Sequence, residues 1–235
     1  MYESLKKTVY EANLELHRHK LVIYSWGNVS GIDRDKGVVV IKPSGVPYDE
    51  LSWEKMVVLD DREGRLIEGD LQPSSDTPTH LELYRAFTEV GGICHTHSRD
   101  ATIWAQACRA IPCFGTTHAD YFYGQVPVTE ALTDGEIADQ YERNTGRVIL
   151  RCFTDLDPLA VPAVLVANHG PFTWGKTPAA AVESSVVLEE VAALALGTLR
   201  INPDQPPVRP ALLDKHYLRK HGKEAYYGQI PKRRN

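Results

Sequence analysis

His95 and His97 stand two residues apart in "GGICHTHSRD", and His169 closes the apolar run "PAVLVANHG". Neutral imidazole is a frequent metal ligand, so the three histidines point to metal chemistry. On a strand, residues i and i+2 share a face, with Cα atoms about 6.5–7 Å apart. Both rings can then reach one ion, at metal–nitrogen bonds of about 2.0–2.1 Å for zinc. The H-x-H pair alone is a short motif that a chain with nine histidines can carry by chance. His169 reads equally as a loop histidine bonded to backbone. Asp76, in "SSDTP", reads equally as a helix N-cap. Taken together, three histidines and one carboxylate suit Zn²⁺, with Mn²⁺ or Co²⁺ as substitutes. Cys94, Cys108, Cys113 and Cys152 form no C-x-x-C pair, which argues against a cysteine-based structural zinc site.

A second set of residues could hold an anion. "WGNVSG" offers Gly27 and Asn28, "IKPSG" offers Ser44 and Gly45, and "QPSSD" offers Ser74 and Ser75. Backbone N–H groups and serine hydroxyls beside a helix start can cradle a phosphate; ordinary turn chemistry is the alternative. Neither a Walker loop nor a dinucleotide fingerprint is present, so ATP and NAD chemistry are not indicated. "GTTHADYFYG" adds Thr116, His118, Asp120, Tyr121 and Tyr123, and the last helix adds His216, Tyr217, Arg219, His221, Tyr226 and Tyr227. Such residues near a terminus also serve as surface packing. From the residues alone, the reading is a metal-assisted reaction on a small phosphorylated molecule.

These residues need a scaffold. Leu5, Val9, Ala12 and Leu16 recur at one face of an opening helix. "GVVVIKPSG" reads as a strand running into a turn, and "KMVVLDDREGRLIEG" as a hairpin turning near Glu63 and Gly64. A helix starts after Asp76 or Thr77 with Pro78 in its first turn. "GGICHTH" is a strand, and Ser98 caps the helix that follows. Thr133 and Glu136 form a capping box for one helix over "DGEIADQYERN". "RVILRCF" and "PAVLVANHG" are strand candidates. Thr177 caps a long helix, "NPDQPP" links it to a last one, and the tail "PKRRN" reads as a solvated terminus. The expected fold is one α/β domain with a mixed or antiparallel sheet covered by helices.

The bulk numbers agree. A chain of 235 residues with 43% hydrophobic and 24% charged residues can bury a core without disulfides. Its net charge of −5, without a basic face, disfavours nucleic acid. The amphipathic start "MYESLKKTVYEANLELHRHK" carries neither a signal-peptide core nor a membrane span. A cytoplasmic setting with reduced cysteines is expected.

The segments "SWGNVSG", "IKPSGV", "PSSDTPTH", "GGICHTHSRDATIWAQA", "GTTHADYFYG", "NHGPFTWGK" and "LLDKHYLRKHGKEAYYGQ" resemble, collinearly from about residue 3 to residue 229, the class II sugar-phosphate aldolase superfamily. Within it they resemble the L-ribulose-5-phosphate 4-epimerases. The resemblance implies one three-layer domain over residues 1–235, with a central, mainly antiparallel sheet and helices on both faces. It implies a C4 homotetramer with active sites between subunits, a sugar-phosphate substrate, and one Zn²⁺ per subunit. His95, His97 and His169 match the metal-binding histidines, and Asp76 the associated carboxylate. Gly27, Asn28, Ser44, Gly45, Ser74 and Ser75 match phosphate- and substrate-binding positions. Asp120 and Tyr227 match an acid/base pair supplied by the neighbouring subunit. Lys42, Thr116, His216 and Arg219 are further candidates in the same motifs.

The implied reaction inverts C4 of L-ribulose 5-phosphate to give D-xylulose 5-phosphate. The C3–C4 bond breaks and re-forms on the other face of the aldehyde. Zinc would act as Lewis acid, and two protein groups would handle protons on two faces. Arabinose catabolism is one pathway setting. A fuculose-phosphate type aldolase is the nearest alternative, and Asp76 in place of Glu, Asp120 and "YYGQ" argue against it. A metal-free scaffold like the adducin head is a remote one. Asn168 stands where these epimerases commonly carry Ser, Asp100 where His is common, and residues 230–235 extend past their usual end.

Overall fold

The computed structural model describes residues 2–227; the tail "PKRRN", within residues 230–235, lies outside them. The chain opens with α1 (Glu3–Arg18), then lays down β1 (Asn28–Asp33), β2 (Val38–Ile41), β3 (Val57–Asp60) and β4 (Leu66–Glu68). Next come α2 (Thr77–Ala86), β5 (Gly92–His95), α3 (Arg99–Gln106), and the short α4 (Thr116–Ala119) and α5 (Asp134–Ala138). The chain continues through α6 (Tyr141–Cys152), β6 (Ala163–Leu165), β7 (Pro171–Gly175), α7 (Pro178–Ile201) and α8 (Pro210–His221). The strands form one seven-stranded sheet in the order β4-β3-β2-β1-β5-β7-β6, with antiparallel pairing throughout. The expectation of a mixed or antiparallel sheet resolves to a wholly antiparallel ladder.

Helices cover both faces of the sheet, which is why "VVVI" in β2 is buried at every position. On one face Val38, Val40, Val29 and Cys94 pack with Val9 and Leu16 of α1 and with Ala181 and Val182 of α7. On the other, Val39, Ile93, Phe172 and Trp174 pack with Leu83 and Tyr84 of α2 and Ile149 of α6. The start of α7 presses against β5: a Cβ on Gly92 would lie 2.4 Å from the Pro178 backbone. Only glycine permits that approach.

Two expectations fail. Residues 147–153, read as a strand, form the second half of α6, which ends at Cys152, and its C-cap Phe153. Their apolar positions Val148 and Ile149 continue a buried stripe with Asn144 and Thr145, which is helical spacing packed against α2. The single helix over "DGEIADQYERN" is two helices. The capping box of Thr133 and Glu136 is present, but α5 ends at Ala138. Gln140 adopts a left-handed φ of 52° before α6 begins. The side chain of Asn144 stabilises the break by donating to the carbonyls of Glu136 and Asp139.

Candidate metal centre and acid/base cluster

The end of β5 carries the first histidine. His95 pairs with Asn28 across the sheet and with Phe172 on the other side. Its ring stacks on Phe172 at 4.1 Å between centroids. Its Nδ1 lies 2.9 Å from the Pro171 carbonyl, which fixes the proton on Nδ1 and frees Nε2. The strand stops at His95, so the same-face geometry of a strand does not bring His97 to it. A loop does: Nε2 of His97 lies 3.1 Å from Nε2 of His95. His169 follows Asn168, whose φ is 60°. Asn tolerates that left-handed turn well, which gives the residue at this position a conformational role. It aims His169 back at the other two rings.

The three histidines each offer a nitrogen, and these atoms lie within 4.8 Å of one another. No cysteine belongs to the group. Burial pushes His169 down to about 3 and His97 down to about 4. Both rings are therefore neutral near pH 7, the form that ligates. Three convergent imidazoles fit one divalent ion of borderline softness.

Asp76 is not among the convergent donors. It occupies the position before α2 but does not cap it: its backbone is helical and its side chain makes no capping bond. Asn28 Nδ2 instead donates to its carboxylate at 2.7 Å and to Ser74 Oγ at 3.0 Å. Burial raises this carboxyl, but neighbouring histidines and the Asn28 bond leave it below its ordinary value. Asn28 Oδ1 is buried with no partner among the described residues. Gly27 makes this packing possible. Its φ is 73°, and a Cβ there would lie 2.8 Å from the His95 carbonyl.

A cavity of about 570 Å³ opens onto the histidines, a size suited to a small molecule. Gly27, Asn28, Lys42, Ser44, Gly45, Ser74, Ser75 and Asp76 all line it. Lys42 is buried, with Nζ 3.2 Å from the Ser25 carbonyl, and burial pushes it down to about 8. The cavity also exposes residues that the sequence reading passed over: Ser25, Trp26, Tyr141 and Glu142. Trp26 sits inside the "SWGNVSG" motif, so its place beside Gly27 was a usable signal. Tyr141 and Glu142 reach the cavity because of the α5–α6 break, which no residue type announces.

Asp120, Tyr227, His216 and Arg219 form a separate cluster, and none of them lines this cavity. Asp120 ends α4 and accepts from Arg219 at 2.8 and 3.1 Å, with His216 Nδ1 at 3.0 Å. The Arg219 guanidinium lies 4.7 Å from the centre of the Tyr227 ring. Burial raises the Asp120 carboxyl, and the bonds from Arg219 and His216 outweigh it, holding it below its ordinary value. Thr116 opens α4, exposed and outside the cavity.

Ser98 stands at the head of α3 without capping it. Glu189 of α7 does so instead, accepting from the N–H groups of Asp100 and Ala101 at 2.8 and 3.0 Å. Ser98 Oγ accepts from Thr96. Both Thr96 and Cys94, which contacts Ser185, engage the protein interior. Among the described residues no helix is long and apolar enough to cross a membrane.

A family described as the class II aldolase and adducin N-terminal domain matches residues 7–196. The fold is similar to that of an L-fuculose 1-phosphate aldolase, with TM-score 0.74 and 24% identity over 91% of this chain and 94% of that one. It is also similar to YgbL from Klebsiella pneumoniae, whose chemistry is left open between aldolase, epimerase and decarboxylase, with TM-score 0.71 and 24% identity over 92% and 99%. A third structure is the L-fuculose-1-phosphate aldolase of Thermus thermophilus, with TM-score 0.67 and 22% identity over 86% and 99%.

Proposed function

Because this chain belongs to the class II aldolase and adducin N-terminal domain family, we propose that it is a metal-dependent sugar-phosphate enzyme. Its reaction is the conversion of L-ribulose 5-phosphate to D-xylulose 5-phosphate by cleavage and re-formation of the C3–C4 bond. Residues 1–235 act as one domain, and the active form is a homotetramer. The observation that carries the reading is the sharing of one cavity by the histidine triad and the small-residue turns.

His95, His97 and His169 would hold a divalent ion, zinc by preference, which would supply Lewis-acid stabilisation of the negative charge that develops as the bond breaks. The associated carboxylate of Asp76 is held by Asn28. Ser44, Gly45, Ser74 and Ser75 bind the phosphate, with Lys42 adding positive charge from the cavity wall. The phosphate sits on C5, so it stays with the two-carbon aldehyde. Its contacts keep that fragment in place while the carbonyl turns over. A base takes the C4 hydroxyl proton as the bond breaks, and an acid returns one to the opposite face. Asp120 and Tyr227 have the right chemistry for these roles. They stand outside the cavity of their own protomer, so a neighbouring subunit must deliver them, with His216, Arg219 and Thr116 beside them.

The test is an assay with L-ribulose 5-phosphate, with and without chelator and after zinc is restored. Chelator-sensitive formation of D-xylulose 5-phosphate is expected, and none from zinc-loaded protein sinks the assignment. A second reading, a fuculose-phosphate type aldolase, draws support from the names of two similar structures. Net release of free aldehyde and dihydroxyacetone phosphate from L-fuculose 1-phosphate would favour it. A metal-free scaffold is disfavoured by the triad, and stoichiometric metal in purified protein would eliminate it.

A further inference from the structure

The histidines of the triad are anchored differently. His95 has its second nitrogen tied to a main-chain carbonyl, that of Pro171, which no substitution of a side chain removes. His169 sits on a turn outside the sheet, after a left-handed Asn168. Its Nδ1 faces a side chain: the hydroxyl of Tyr141, at 3.4 Å. The two rings are 6.1 Å apart between centroids and 35° from coplanar, so the contact is made by the phenol oxygen rather than by stacking.

The position of Tyr141 is fixed by backbone. It is the first residue of α6, directly after the left-handed Gln140. Thr79 of α2 donates to the neighbouring carbonyl of Glu142 at 2.5 Å, and Thr145 donates to the carbonyl of Tyr141 at 3.0 Å. A Cβ on Gly146 would lie 2.7 Å from the Glu82 side chain, so α6 sits tightly on α2. The phenol therefore meets His169 from a rigid helix start.

We propose that Tyr141 is a positioning residue for the metal centre: its hydroxyl oxygen accepts from Nδ1–H of His169 and thereby presents Nε2 to the ion. The inference rests on the metal-centre reading above. A neutral imidazole has one N–H and one bare nitrogen, so engaging Nδ1 as donor leaves Nε2 as the ligand. The phenol keeps its own O–H to donate into the cavity it lines. Loss of such an outer partner typically costs about 10–100-fold in metal affinity.

The experiment uses the full chain and its Tyr141→Phe variant, which keeps the ring and removes the hydroxyl. Zn²⁺ affinity is measured by competition with a chromogenic chelator, and the ligand field by the visible spectrum of Co²⁺-loaded protein. The variant should bind Zn²⁺ about 10–100-fold more weakly, shift the Co²⁺ bands, and recover turnover as metal is raised. Nitrogen-15 NMR of the zinc-loaded wild type should show the proton of His169 on Nδ1, a readout independent of how the variant folds. Unchanged affinity and spectrum in Tyr141→Phe, or a proton on Nε2 in the wild type, would overturn the assignment of Tyr141 alone. Wild-type protein that takes up no stoichiometric metal would overturn the metal-centre reading and this inference together.

Discussion

The histidine cavity and the Asp120 cluster are built on opposite plans. The cavity grows from the end of a covered sheet: His95 is buried, paired on both sides and stacked on Phe172. The Asp120 cluster depends on α8, a helix with no buried residue, held to α4 by charged hydrogen bonds to one carboxylate. The first arrangement is rigid before any ligand arrives. The second is half-exposed and stands outside the histidine cavity. Under the proposed function binding and proton transfer fall to different regions, and substitutions should separate them.

The largest effect belongs to the cavity. His95→Ala should lower metal affinity by more than the roughly 10–100-fold that loss of an outer partner costs, and abolish turnover. Metal analysis after dialysis measures the first and the epimerase assay the second. Retention of full stoichiometry would show that the triad is not the metal centre. Next comes Asp120→Asn, which should leave metal content unchanged and lower turnover by about 10²–10⁴-fold, the usual contribution of a proton-transfer group. Activity near wild type would remove Asp120 from the acid/base role.

A third effect is on stability and depends on pH. Arg219 and His216 hold the Asp120 carboxyl below its ordinary value, against the opposing effect of burial. A carboxyl lowered in the folded state contributes stability above its unfolded value of about 3.9, and this is lost as pH falls through the folded value. Below about pH 4, α8 should therefore loosen before the sheet does. Pepsin should cut within α8, at Leu212, Leu213 or Leu218, while far-ultraviolet circular dichroism still reports the sheet and the remaining helices. Simultaneous loss of both would mean that the two regions are not independent. The smallest effect is expected from Glu189→Ala. Removing the cap on α3 should cost about 1 kcal/mol in denaturant unfolding, with metal content kept.

Much of this was legible from residue types. The covered sheet follows from runs such as "VVVI", and the triad from an H-x-H pair and a third histidine after an apolar run. Thr177 does cap α7, with its side chain accepting from the Ala180 N–H. What stayed hidden depends on tertiary contacts. Residues 147–152 carry β-branched and apolar side chains, and packing on α2 turned them into helix. Gln140 gives no hint of a left-handed φ, so Tyr141 and Glu142 could not be assigned to the cavity. Ser98 is a good capping residue in isolation, and a carboxylate 91 positions later in the chain takes its place.

Strand order has a consequence for how the chain acquires its structure. From β1 to β4 each strand pairs with its sequence neighbour, so this meander closes loops within one stretch of chain, the longest between Ile41 and Val57. Its contacts are local and can form early, including during synthesis. The histidine centre cannot: it needs β5, the loop after it and the turn before β7, with His169 lying 74 residues beyond His95. The histidine triad is thus a late product of folding, and an ion bound there would stabilise the last contacts to form rather than the first.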